Sequence, residues 1–226
     1  MVRYSKQPFR ELVRSYGVDI ACTPMILADV FKESEYGRGD FTTSPDDTPV
    51  VVQFAASNSK DFADAAELVA PFADGIDLNC GCPQRWAIQE KIGSYLMDEP
   101  ELVRDMVRAV KGRGIATPCS IKIRKHPDIR TRTFCNKLQD IQANCERKLN
   151  WAIRHTIEFV RRAEATGVDW ITIHGRTRKQ KSTLPVDVEA IRLVKETATV
   201  PVVANGGVFS LKEAEELRER TGVDGI

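Results

Sequence analysis

Short β-rich apolar runs alternate with amphipathic runs along this chain. Strand-like segments begin near Asp19, Val50, Gly75, Cys119, Asp169 and Val200, and a last one starts at Gly222. Between them apolar residues recur at three and four, which predicts helices over 61–69, 101–111, 156–165, 186–197 and 211–220. A further helix over 9–16 opens the chain. Val50-Val51-Val52 and Pro201-Val202-Val203-Ala204 are apolar without interruption, as strands covered on both faces are in parallel sheets. Seven strands, preceded by a helix that should itself follow a strand, predict an incomplete TIM (β/α)8 barrel. Its first strand is expected to be missing ahead of Met1, its last to be cut short, and no C-terminal helical domain to follow. A doubly wound sheet is the competing topology, but no glycine-rich dinucleotide fingerprint follows an early strand.

One stretch breaks the alternation. Residues 127–155 separate a strand from the next helix, where typical βα loops run to roughly 2–6 residues, so the segment reads as an insertion in a single domain spanning 1–226. It is net basic, with Arg130, Arg132, Lys137, Arg147, Lys148 and Arg154 against Asp128, Asp140 and Glu146. Residues 137–153 could form an amphipathic helix, with Leu138, Ile141, Leu149 and Ile153 on one side. Because the insertion follows a strand, it would project from the rim where barrel chemistry resides. A solvated flap and an RNA-facing surface are equally consistent with that composition.

Composition narrows the class of protein. The 226 residues are 42% hydrophobic and 29% charged, with a formal net charge of +1, so global charge does not announce a nucleic-acid partner and any such surface must be local. No apolar run of about 18 residues and no apolar signal core are present, which excludes a membrane span and points to a soluble intracellular protein of cytoplasm or nucleus. The six cysteines and three histidines fit no zinc spacing, so no metal is expected and reduced thiols are the better reading.

Five places carry candidate chemistry. The strand Gly75-Ile76-Asp77-Leu78-Asn79 runs into Cys80-Gly81-Cys82-Pro83, which puts thiols at the mouth of the barrel. Cys80, nearer the strand, reads as a small buried hydrophobe. Cys82, held in a Gly-Cys-Pro turn, reads as a functional thiol able to supply a proton. Lys122 lies between Ile121 and Ile123, and a lysine inside a barrel needs an anion or dipole as partner. Gln53 and His174 end strands, where capping and ligand contact are both open. Asn205-Gly206-Gly207 follows the seventh strand, where backbone N–H groups can approach a phosphate; a plain turn is the alternative.

The segment Asn79-Cys80-Gly81-Cys82-Pro83-Gln84-Arg85-Trp86 resembles the signature of the tRNA-dihydrouridine synthases, in wording nearest the eukaryotic branch acting at D-loop positions 20a and 20b. Further segments resemble the same family in the same order: Arg3-Tyr4-Ser5-Lys6-x-Pro8-Phe9-Arg10, Cys22-Thr23-Pro24-Met25, Val52-Gln53-Phe54, Ser120-Ile121-Lys122-Ile123-Arg124, Ile173-His174-Gly175-Arg176-Thr177 and Val203-Ala204-Asn205-Gly206-Gly207. The likeness covers all but the insertion.

That resemblance implies an FMN enzyme, reduced by NADPH, which converts uridine in tRNA to 5,6-dihydrouridine. It implies Cys82 as the proton donor to C5 of the base. Gln53, Lys122, His174, Asn205, Gly206 and Gly207 become cofactor contacts, with Met1 as the remnant of a flavin-touching strand. Asn79 becomes the residue that orients the base, and Arg124, Arg176 and Arg178 become contacts to tRNA phosphates. Departures from the family pattern lie at both ends, in the insertion, and at Glu90-Lys91-Ile92-Gly93-Ser94, where the family is richer in glycine. They predict weak FMN retention and poor activity for the chain alone. Two other readings compete with this one: a flavin barrel reducing free pyrimidines, and a flavin-free isoform that only binds RNA or protein.

Overall fold

A computed structural model describes residues 3–127 and 141–226, with side chains in the second stretch from residue 153 onward. The order is α1 (Gln7–Arg14), β1 (Ala21–Cys22), β2 (Ile26–Leu27), α2 (Ala28–Glu33), α3 (Glu35–Arg38), β3 (Val50–Ala55) and α4 (Ser59–Val69). There follow β4 (Gly75–Asn79), α5 (Arg85–Gln89), α6 (Pro100–Lys111), β5 (Cys119–Arg124) and α7 (Ile141–Glu164). The chain continues with β6 (Trp170–His174), α8 (Val188–Thr197), β7 (Val202–Asn205) and α9 (Leu211–Thr221). Every strand pairing is parallel, and neighbours follow in the order β1-β3-β4-β5-β6-β7 with β2 also on β3. A parallel sheet curled through sequential crossovers, with helices on its outer face, is the TIM-barrel class of α/β fold, seen here as a half-barrel.

Register divides the strands into two faces. Gln53, Asp77 and Ser120 stand level across β3, β4 and β5; one step up are Asn79, Lys122 and Thr172; one step further are Arg124, His174 and Asn205. Successive side chains on a strand point to opposite faces, so these polar residues share the concave side. The alternate positions Phe54, Ile76, Leu78, Ile121, Ile123, Ile171 and Ile173 are fully buried. They join Phe62 and Ala66 of α4, Met106 and Val110 of α6 and Ile191 and Val194 of α8 in one core.

Side-chain caps start α4, α8 and α9. Asn58, Asp187 and Ser210 accept from Asp61 N (2.9 Å), Ala190 N (3.0 Å) and Glu213 N (3.2 Å). The opening motif is a staple. Arg10, buried in α1, grips Asp47 through Nε and Nη2 (2.9 and 2.6 Å to Oδ2). It also donates to the carbonyls of Ser5 and Thr42, both at 2.6 Å. Arg14 reaches the Pro49 carbonyl at 2.6 Å, so α1 clamps the approach to β3, the strand that carries Gln53.

Three expectations are corrected. The strand expected from Asp19 is split into β1 and β2, with Thr23-Pro24-Met25 between them; Thr23 Oγ1 accepts the Gln53 N–H at 3.0 Å instead. The strand expected from Gly222 is a single parallel bridge between Val203 and Gly225. The helix allowed over 137–153 and the one expected over 156–165 are not separate: from Ile141 onward the segment is α7, continuous through Glu164. Arg130, Arg132 and Lys137 lie outside the described residues, as does Met1.

Candidate active site

Asn79 closes β4 and builds the cysteine turn. Its Oδ1 accepts from the backbone N–H of Gly81 (3.1 Å) and of Cys82 (2.9 Å), an Asx-type turn. Its Nδ2 donates to Gln53 Oε1 at 2.8 Å, Gln53 Nε2 donates to Asp77 Oδ2 at 2.8 Å, and Ser120 Oγ donates to Asp77 Oδ1 at 2.6 Å. Burial raises the carboxyl of Asp77 above its ordinary range, against the lowering from its hydrogen bonds and Lys122.

The two thiols differ in setting. Cys80 is fully enclosed in the main core, where burial pushes its thiol well up, and it behaves as a small hydrophobe. Cys82 sits in a separate small cluster with Ala55, Ala87 and Ile92, edged by Met25 and Leu27. Gly93 backs it, with φ at +63° and Ser94 N donating to the Cys82 carbonyl at 2.9 Å.

A cationic cluster faces this turn. Lys122 donates to Asn205 Oδ1 at 2.9 Å, spanning β5 to β7, and burial lowers its ammonium below the ordinary value. Arg124 donates to the carbonyls of Gly81 (2.7 Å) and Thr177 (3.2 Å), and both Lys122 and Arg124 lie within electrostatic reach of Cys82. Arg176 is buried, donates to the Leu184 carbonyl at 2.6 Å, and places Nη1 3.2 Å from His174 Nε2. A guanidinium only donates, so that ring nitrogen accepts and the imidazole carries its proton on Nδ1. Burial first, then Arg124, Lys122 and Arg176, drive His174 down to about 3.

Gly206 and Gly207 lie beneath these groups with φ of +103° and +77°; a Cβ at Gly206 would run into the His174 ring. Among the described residues no carboxylate is ion-paired to Lys122, Arg124 or Arg176. Lys122 is offset in part by the buried Asp77 carboxylate, whereas Arg124 and Arg176, bonded to carbonyls, keep their charge beside the glycine pair, a cradle that suits an anion.

The structure therefore brings Gln53, Asn79, Cys82, Lys122, Arg124, His174, Arg176, Asn205, Gly206 and Gly207 to one end of the sheet. Arg178 stands apart, committed to Asp98 at 2.5 Å and the Ser94 carbonyl at 3.3 Å. Sequence reasoning gave no role to Asp77, Ser120 or Gly93. The signal for the first two was their two-residue phasing with Asn79 and Lys122. Among the described residues there is no metal-holding cluster, and no helix is long and apolar enough to cross a membrane.

A half-barrel with a cysteine turn and a cluster of buried cations at its strand ends places the polar residues of an α/β barrel at one end of its sheet. The chain belongs to the dihydrouridine synthase (Dus) family, whose model matches residues 1–145 and 136–226. It is 46% identical over 230 residues to the mouse (Mus musculus) tRNA-dihydrouridine(20a/20b) synthase [NAD(P)+]-like protein, covering 100% of this chain and 63% of that protein. It is 44% identical over 229 residues to tRNA-dihydrouridine(20a/20b) synthase [NAD(P)+] of Schizosaccharomyces pombe (strain 972 / ATCC 24843), covering 100% and 62%. The chain thus spans less than two thirds of the length of these relatives. Among solved structures, the Amycolatopsis orientalis BexX/CysO complex superposes with a TM-score of 0.55 at 14% identity, over 99% of this chain and 76% of that one, a likeness of fold alone.

Proposed function

We propose that this chain carries the catalytic centre of an FMN-dependent tRNA-uridine reductase, with NADPH as reductant and D-loop positions 20a and 20b as targets, in one barrel domain over 1–226. The observation that carries the reading is Arg124, which joins the cysteine turn at Gly81 to the strand ends that form the anion cradle. The residues present fit FMN. His174, Arg176, Gly206 and Gly207 would hold its phosphate, and Gln53 and Lys122 the polar edge of its ring, with Asn205 fixing the lysine. Held there, FMN would supply hydride chemistry at C6 of the base.

The chain's own residues do the rest. Cys82 delivers a proton to C5, so that no charge is left on the ring; Asn79 holds the base edge in register with the thiol. Both sit at the end of one strand, where Asn79 Oδ1 accepts from the N–H of Gly81 and of Cys82, so base and proton donor are positioned by a single turn. Arg124 closes that turn rather than reaching outward, which leaves tRNA backbone contact to exposed rim cations such as Lys179 and Lys181.

The test is direct. With FMN supplied in excess, the purified chain should show a flavin spectrum that NADPH bleaches, hold that flavin weakly, and form dihydrouridine slowly on unmodified tRNA. Cys82→Ala should keep the bleaching and slow dihydrouridine formation by roughly 10²–10⁴, the usual worth of a positioned acid. A chain that never binds FMN, or turnover of free uridine as fast as tRNA, refutes the reading.

A further inference from the structure

A carboxylate lies beneath the base-binding residues: it bonds Gln53 directly and reaches Asn79 only through it. Asp77 is buried, and its two oxygens accept from Ser120 Oγ and Gln53 Nε2. From it runs a chain of hydrogen bonds, Asp77 to Gln53 to Asn79 to the backbone N–H groups of Gly81 and Cys82. Side-chain amides have two ends of similar shape, so their orientation must come from their neighbours. Here both termini dictate it. Backbone N–H groups can only donate, so the oxygen of Asn79 faces them and its nitrogen faces Gln53. Asp77 Oδ2 accepts, so the nitrogen of Gln53 faces it and the oxygen faces Asn79.

We infer that Asp77 is the positioning residue that sets the amide orientation of Gln53 and Asn79, and through them the donor character of the base site and the set of the Cys82 turn. This rests on the reading of the site as a uridine reductase. With Oδ1 occupied twice, the one polar atom that Asn79 has left is the second hydrogen on Nδ2. It therefore offers a donor, which suits a carbonyl edge of uracil and opposes the 4-amino group of cytosine. Asp77→Asn has two settings. With Oδ1 kept toward Gln53, its Nδ2 turns on Ser120 Oγ, whose hydrogen is left only the Ile76 carbonyl at 3.5 Å. With Nδ2 toward Gln53, an N–H faces that amide. Either the two amide nitrogens then face each other, or the whole chain flips and Asn79 presents nitrogen to the N–H groups of Gly81 and Cys82. These last two outcomes leave buried donors unpaired, and the first trades the 2.6 Å serine bond for the longer one to Ile76.

The polarity argument specifies its own rescues. In Asp77→Asn with Asn79→Asp, the new asparagine donates to Gln53, the flipped Gln53 donates to the new carboxylate, and that carboxylate accepts the turn N–H groups. In Asp77→Asn with Gln53→Glu, the carboxylate moves one link along and Asn79 keeps its direction.

The experiment uses the 226-residue chain. It measures the thermal midpoint and the rate of Cys82 alkylation by iodoacetamide, mapped by mass spectrometry, without flavin; dihydrouridine on tRNA is measured with FMN and NADPH. Asp77→Asn alone should lower the midpoint and speed Cys82 alkylation at least tenfold. Asp77→Asn with Asn79→Asp should bring alkylation back to within about threefold of the parent, yet leave uridine reduction down at least a hundredfold. If that pair does not fold, Asp77→Asn with Gln53→Glu carries the test and should restore alkylation likewise. Unchanged alkylation in the single variant overturns the inference. So does a folded pair no better than the single variant, which would leave Asp77 as a buried counter-charge to Lys122. Midpoint and alkylation are read on the flavin-free protein, so they decide this inference even where the parent chain forms no dihydrouridine.

Discussion

Residue 93 supports Cys82 by having no side chain. Its φ is +63°, and a Cβ placed there would stand 2.8 Å from both Cys82 Cβ and the Cys82 carbonyl oxygen. Gly93→Ala is therefore expected to cost about 1–3 kcal/mol, since strained backbone and overpacking add. It should also displace the thiol, so that dihydrouridine formation falls more than the urea midpoint alone explains. An alanine variant with parental stability and activity would remove Gly93 from the site. At this scale the sequence was readable where chemistry and local geometry coincide. Cys82 was singled out because a cysteine between glycine and proline cannot continue a strand. Arg124 and Arg178 were not readable, because exposed and carbonyl-bound arginines look alike until the partners Gly81, Thr177 and Asp98, distant in sequence, are placed. Asp77 escaped for the same reason: its partners Gln53 and Ser120 lie on other strands.

Among the elements, α1 is held by charge more than by its apolar face. Arg10 and Asp47 are both buried and bidentately paired, while Phe9, Leu12 and Tyr16 of the same region are exposed. Removing one partner of a buried pair leaves the other uncompensated, so Arg10→Ala should cost on the order of 3–5 kcal/mol in a urea titration. Arg10→Lys should recover little, because an ammonium cannot serve Asp47, Ser5 and Thr42 at once. A loss below about 1 kcal/mol would mean that the loop before β3 stands without the staple. Periodicity gave the order and type of the long helices and central strands. It failed where another force decides: β1 and β2 are separated at Thr23, whose hydroxyl replaces a ladder bond, and α2, α3 and α5 are too short to show a period. The helix allowed over 137–153 and the one expected over 156–165 are a single element, α7, and no break in apolar spacing marks where the first should end. The alternation of Ser120, Lys122 and Arg124 with Ile121 and Ile123 was legible, and it marks the polar concave face; only the register shows that β4 and β6 continue it.

For the whole molecule, a net charge of +1 conceals a strong local field. Lys122, Arg124 and Arg176 surround His174, and the desolvation they share with it holds the imidazole neutral, at about 3 against an ordinary 6.5. His126 is shifted in the same direction, chiefly by burial. Between roughly 6.5 and 3 the unfolded chain binds protons that the folded chain refuses, so this contribution to stability is intact above 6.5 and is lost progressively as pH falls toward 3. At about 1.4 kcal/mol per pH unit, and discounting for solvent that reaches the half-buried ring, His174 should cost on the order of 1–2 kcal/mol by pH 5. A bound phosphate dianion favours the imidazolium and offsets the three cations, so FMN should flatten the same slope. Thermal midpoints at pH 7.5 and 5, with and without FMN, for the parent and His174→Gln, separate the terms. The variant should lose less on acidification than the parent, and FMN should narrow the difference between them. An equal acid loss in both proteins would place the pH sensitivity elsewhere, and an FMN effect independent of residue 174 would move the phosphate away from this cradle.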